Sequence, residues 1–148
     1  GLLPGGAPLN PGVLPWVYLA ATEALKKWVQ EGMPPPEAEP LPTTDDHSYS
    51  DYHAAGIVLG GVRTPYVDAP AARLSGEFND ANGVCSLTGT TALFDAATMS
   101  ARYVDRQGYM DAVDEAATQA VSAGFILAPD ASRIRAAASL QWDALGED

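Results

Sequence analysis

Two histidines and three carboxylates fall within nine residues, and this cluster has the residue types of a divalent metal site. The residues are Asp45, Asp46, His47, Asp51 and His53. Imidazole nitrogens and carboxylate oxygens are common ligands of such ions. The step from His47 to His53 matches no helical pair of metal ligands, so we interpret the segment as a solvated acidic loop and expect no metal. A metal-dependent enzyme that uses His47, His53, Asp46 and Asp51 is the alternative.

The serines and the single cysteine do not stand in a catalytic motif. Nucleophilic hydrolysis on an α/β sheet needs a serine on a tight strand-to-helix turn, written G-x-S-x-G, and the sequence contains no such pentapeptide. Ser75 lacks the preceding glycine, and Ser86 follows Cys85 in an unrelated context. Cys85 has no adjacent base, so we interpret it as a small buried residue. No catalytic residue can be identified in this chain.

Arg63 and Asp68 flank a turn that Pro65 fixes, and Arg63 is one of only eight lysines and arginines in the chain. An ion pair between the two side chains is the interpretation that we favour. A role facing substrate is the alternative.

The composition limits the classes of partner. The chain has 148 residues, 47% of them hydrophobic, and eight Lys and Arg against 19 Asp and Glu give a net charge of −11. Because a surface this acidic repels nucleic acid and anionic lipid, we expect neither as a partner. No apolar run reaches the ~18–20 residues that span a bilayer. The N-terminus has no initiator Met and no basic segment, so it does not read as a signal peptide.

One helix is indicated near the N-terminus. Its apolar residues recur at steps of three and four from Leu14 to Val29, and Gly32 and Pro34 are typical of its end. The aromatic face of this helix is too large for a free helix, so it must dock on a large partner.

The remaining chain divides into a connector and a body. Five prolines between 34 and 42 predict an extended, semi-rigid strap. Short β-prone runs broken by Gly and Pro predict irregular strands or extended segments over 57–70, with a turn at 79–83 and another short strand possible at 84–87. Asp95 and Asp105 are N-caps for helices at 96–103 and 106–123, and Pro129 with Asp130 restarts a third helix. We predict three parts: 1–33, a terminal helix segment; 34–56, a Pro-rich and acidic linker; and 57–148, a strand-then-helix extension.

Several segments resemble, in order, a bacterial family described as an alpha/beta hydrolase domain. They are LPWVY at 14–18 with WVQEGMPPP at 28–36, GGVRTPYVDAP at 60–70, CSLTGTTALFD at 85–95, and Tyr109 with GFILAPDA at 124–131. Together they cover most of 14–136. The resemblance implies a serine hydrolase, an esterase, of several hundred residues, with no cofactor.

In that family fold the nucleophile and the acid come earlier, and the histidine follows the last strand, just ahead of the final helix. In this chain, the segment that resembles the final core helix of the family starts near Leu14. Residues 1–13, which precede it, contain no histidine. No triad residue can therefore be transferred to this chain, and whether it is an enzyme by itself is left open. We expect a helix-rich α+β chain: the C-terminal portion of an α/β-hydrolase fold, its last core helix included, plus a small mixed cap or extension.

The expected partners are the N-terminal part of the same hydrolase and, in the intact enzyme, a small ester substrate. Arg63, Tyr66 and Asp68 are the candidates for shaping the substrate entrance. The alternative function is an independent, non-catalytic interaction module that binds through Trp16, Tyr18 and Trp28. The sequence does not separate a bacterial cytoplasmic location from a periplasmic one.

Overall fold

The computed structural model describes residues 14–42, 57, 59–76 and 89–145. In chain order the elements are α1 (Leu14–Glu31), α2 (Pro65–Asp68), β1 (Ala72–Ser75), β2 (Thr90–Leu93), α3 (Ala96–Tyr103), α4 (Arg106–Ser122) and α5 (Ala128–Ala144). The two strands pair antiparallel, with Ala72 opposite Leu93 and Ser75 opposite Thr90. The expected helix-rich α+β class is confirmed. The proposed division into three parts stays a prediction.

The predicted helix ends are confirmed because they depend on local chemistry. Gly32 follows α1 with a φ of +72° and donates its N–H to the Trp28 carbonyl at 3.0 Å. Asp95 accepts the Thr98 N–H at 2.7 Å, and Asp105 accepts the Gly108 N–H at 2.8 Å. Each carboxylate thereby satisfies a backbone donor that the first helical turn leaves without a partner.

The prediction of strands or extended segments is wrong for Pro65–Asp68, which form the single helical turn α2. Proline at the first helical position supplies a φ already suited to a helix. The Thr64 carbonyl then accepts N–H groups from Val67 and Asp68, both at 2.9 Å. The turn at 79–83 and the strand at 84–87 lie outside the described residues.

The core is built where α4 packs on α5. Its buried side chains are mostly small, and they form two adjoining clusters along the helix pair. Those on the two helices are Tyr109, Val113, Ala116, Ala117, Ala120, Ala131, Ile134 and Ala138. Arg106 at the start of α4 bonds Asp143 near the end of α5 at 2.9 Å, so the helices run antiparallel.

The segment after α1 turns back along the molecule. It has no helix or strand over 32–38, and the ring of Pro36 lies beside Gly124 in the turn between α4 and α5. Further on, the Gly61 N–H bonds the Glu39 carbonyl at 2.8 Å. The strap therefore contacts the chain at two points beyond α1.

A tight turn joins α3 to α4. Val104 has a φ of +68° and a ψ of −59°, and the Asp105 N–H bonds the Tyr103 carbonyl at 2.8 Å. This is the geometry of a γ-turn of the strained kind, which is uncommon for a β-branched residue. A Cβ on Gly108 would lie 2.1 Å from the same carbonyl oxygen, so the first turn of α4 requires glycine there.

Replacing Val104 tests the strain. We expect Val104→Gly to raise the free energy of unfolding by about 1 kcal/mol, because glycine adopts positive φ without a Cβ clash. Val104→Ala is the control, since it keeps the Cβ and should not give this gain.

Gly108→Ala should lower the free energy of unfolding by about 1–3 kcal/mol through overpacking. Urea unfolding followed by circular dichroism measures all three, and a loss of stability in Val104→Gly would contradict the assignment.

Candidate functional site

A cavity of about 190 Å³ lies between α2, the β1–β2 pair, α4 and α5, and we name it the Tyr109 cavity. Its walls are mainly apolar, and small side chains make the space. The alanines that line it are Ala69, Ala71, Ala72, Ala137 and Ala138. The residues with polar side chains in the lining are Tyr66, Tyr109, Thr91 and Gln141. A mainly apolar cavity with a few polar groups is the usual form of a small-molecule site.

Tyr109 is the most constrained polar residue of this cavity. Its side chain is only 2% exposed, and its ring lies 4.9 Å from the Tyr103 ring and 5.5 Å from the Trp142 ring. Its hydroxyl has no hydrogen-bond partner within the part of the chain that the structure describes. Burial, with a smaller contribution from Tyr66, raises the pKa of Tyr109 to about 12. The hydroxyl therefore keeps its proton at neutral pH.

Tyr103 supports this wall from behind. Its hydroxyl donates to the Pro70 carbonyl at 2.8 Å, and that bond is buried. Burial also raises the pKa of Tyr103. The bond ties α3 to the segment that enters β1, beside the Tyr109 ring.

The three residues predicted to shape a substrate entrance lie in two places. Tyr66 lines the Tyr109 cavity, and its hydroxyl accepts a hydrogen bond from Trp16 Nε1 at 3.3 Å. Arg63 and Asp68 are not among the cavity walls. They bond each other, with Nε to Oδ1 at 2.9 Å, so the favoured ion pair is confirmed. Their role at an entrance stays a prediction.

The other chemistry-bearing residues are mostly beyond the described ranges. His47, His53, Cys85 and Ser86 lie outside them, and Ser75 is in β1. Residues 14–42, 57, 59–76 and 89–145 therefore contain no histidine to serve as a general base. In these ranges no three His, Cys, Asp or Glu side chains group as a metal site. Nor is any helix there long and apolar enough to cross a membrane.

The apolar face of α1 is the second notable surface. Tyr18 is 66% exposed, Trp28 52% and Val29 78%, whereas Ala20 is buried and Trp16 packs against the α4–α5 core. Beside this face, a groove of about 290 Å³ runs between α1 and the strap, with Trp28 and Pro36 on its sides. The helix therefore contacts the body along one edge and leaves most of its large apolar side chains in water.

Comparison with known protein families accounts for most of the chain. A family model described as an alpha/beta hydrolase domain matches residues 4–136. The chain belongs to the alpha/beta hydrolase domain family. The match takes in α1, the strap, α2, the strand pair, α3, α4 and the first half of α5, and with them most of the Tyr109 cavity. No curated protein and no solved structure matched the chain.

Membership of the alpha/beta hydrolase domain family confirms the resemblance inferred from the sequence motifs. The sequence also identified Tyr66 as a candidate, but it included Tyr109 only among the segments that resemble the family. An aromatic at the apolar stripe of a helix is ordinarily core. The signal that separates Tyr109 from such a residue is the pair of small side chains, Ala137 and Ala138, that α5 presents to the cavity on which Tyr109 also borders.

The raised tyrosine pKa predicts a loss of stability in alkali. Between pH 10 and pH 12 the unfolded chain loses the Tyr109 proton while the folded chain keeps it, so the free energy of unfolding falls as pH rises through this window. Tyr109→Phe removes that contribution, and its stability should fall less steeply over the same window. Urea unfolding at pH 8, 10 and 11.5 measures the slopes. Tyr18→Phe, at an exposed position on α1, is the control, and equal slopes in the wild type and Tyr109→Phe would contradict the prediction.

Proposed function

We propose that this chain is the C-terminal part of a serine hydrolase that acts on carboxylic esters, completing the hydrolase core through α1. Family membership over residues 4–136 is the observation that carries the proposal. The nucleophile, the acid and the histidine would then be supplied by a preceding part of the same enzyme. In agreement with this, the sequence contains no G-x-S-x-G elbow.

The exposed face of α1 supports the structural half of the proposal. Helices of α/β folds cover the faces of a largely parallel sheet and bury their apolar side chains against it. Tyr18, Leu25, Trp28 and Val29 are all more than half exposed, although they are large apolar residues of the helix. A sheet supplied by the N-terminal part of the hydrolase would cover them.

The test of catalysis uses the 148-residue chain and p-nitrophenyl acetate. We expect turnover no higher than that of a Ser75→Ala variant, because the catalytic groups lie elsewhere. An enzyme that includes the preceding segment should hydrolyse the ester and lose that activity with a serine-directed inhibitor. Inhibitor-sensitive turnover by the 148-residue chain alone would contradict the proposal.

Arg63 tests whether the entrance residues contact substrate. In the intact enzyme we expect Arg63→Ala to change KM or kcat severalfold and to leave Tm nearly unchanged, because exposed ion pairs contribute at most about 1 kcal/mol. The pair is about one-third exposed, with side-chain values of 33% and 28%. Asp68→Asn is the matched control for loss of the ion pair. If both variants show a large fall in Tm and unchanged kinetics, Arg63 and Asp68 have only a structural role, and the prediction is wrong.

The alternative function is a non-catalytic interaction module that binds a protein through α1. The same exposed residues favour it, because contiguous apolar area on a protein surface commonly marks an interface. Light scattering on the 148-residue chain separates the two functions. A stable monomer with a cooperative melt favours the module, whereas aggregation that the N-terminal part of the hydrolase relieves favours the hydrolase core.

A further inference from the structure

The size of the Tyr109 cavity selects a small ligand. An engineered apolar cavity of about 150 Å³ is large enough to take up benzene. At about 190 Å³, the Tyr109 cavity holds one six-membered ring with a short substituent. Its walls combine aliphatic side chains with the rings of Tyr66 and Tyr109, and these suit an aromatic ring packed face-on or edge-on.

The absence of charged side chains from the cavity walls favours a neutral ligand. No charged side chain lines the cavity among the residues that the structure describes. The nearby Arg63 and Asp68 are already bonded to each other and are not wall residues. An ionised ligand would lose its hydration without gaining a counter-charge, which makes its burial unfavourable.

The Tyr109 hydroxyl selects a ligand with an acceptor. The ring packs against Tyr103 and Trp142, and these contacts fix the position of its hydroxyl oxygen. Within the described residues nothing accepts its proton. The hydroxyl oxygen is also not fully enclosed, since Thr64 Oγ1 is the only fully enclosed side-chain polar atom without a partner among these residues, so a bound molecule can reach it. A carbonyl oxygen on the ligand would supply that missing partner.

We propose that the Tyr109 cavity binds a neutral, monocyclic aromatic molecule with a carbonyl oxygen, such as an aryl ketone or aryl ester, and that the Tyr109 hydroxyl donates a hydrogen bond to that oxygen. The binding site belongs to this chain. It therefore goes beyond the proposed hydrolase function, and it does not depend on where the catalytic residues lie.

The experiment is an NMR titration of the ¹⁵N-labelled 148-residue chain with acetophenone, which cannot be hydrolysed. We expect saturable shifts of the amides around the cavity, those of Leu74, Val113 and Ala138 among them. Toluene should bind at the same place more weakly, because it has no acceptor. Benzoate should bind at least tenfold more weakly than acetophenone, because it is charged.

Three variants separate the contribution of the hydrogen bond from that of the cavity space. Tyr109→Phe should weaken acetophenone binding about tenfold and change toluene binding less than twofold, since one hydrogen bond is lost and the ring is kept. Ala137→Leu should abolish binding of both by filling the cavity. Ala136→Leu makes the same change one residue earlier, at a position that does not line the cavity, and should leave binding unchanged.

Three results would overturn the proposal: no saturable binding of acetophenone or toluene, equal affinity for acetophenone in Tyr109→Phe and the wild type, or equal loss in Ala136→Leu and Ala137→Leu. If the α1 amides of a ligand-free variant have the same chemical shifts as in the wild type, that variant is folded. Absence of binding by a folded variant is then evidence about the cavity. The ester assay described above does not bear on these outcomes, because acetophenone binding needs no catalytic group. The two proposals can therefore fail separately.

Discussion

The close approach of α4 and α5 is the constraint on which the other described elements depend. Alanines at the contact, with Ala117 and Ala131 almost fully buried, let the two backbones come near each other. Such packing leaves little room for adjustment, because interiors are filled to crystal-like density. The tyrosine pair, α2 and the strand pair are arranged around one end of this helix pair, and α1 and the strap lie at the other. Small residues thus determine both where the core is closely packed and where the Tyr109 cavity lies.

Local chemistry made much of the fold predictable from the sequence. Asp95 and Asp105 cap helices because their carboxylates reach donors only three residues away. The Arg63–Asp68 ion pair was also predictable, because its two residues are only five positions apart in the sequence. The strands at 72–75 and 90–93 were not predicted, because a four-residue run such as Ala-Arg-Leu-Ser is short and lacks the β-branched and aromatic residues typical of strands. Their pairing joins parts of the chain that local propensity does not relate.

The candidate site was predictable only in part, for the same reason. Tyr66 and Tyr109 are distant in the sequence, and the turn at Val104 fixes where α4 begins relative to α3. No propensity predicts a β-branched residue at positive φ, so the position of the Tyr109 ring could not be derived from the pattern of apolar residues. The need for Gly108 explains why a glycine occupies the first turn of a helix, where it would otherwise weaken the structure.

The ion pairs have a consequence for how the protein responds to its solution. Five of the eight basic side chains, Lys26, Arg63, Arg106, Arg133 and Arg135, are paired with carboxylates. Nineteen acidic residues against eight basic ones still leave a large excess of negative charge. Mutual repulsion of that excess opposes the compact state, whereas each exposed pair contributes at most about 1 kcal/mol. Because dissolved cations screen that repulsion, we expect the folded chain to gain stability from an ionic strength that would weaken a protein whose charges were balanced.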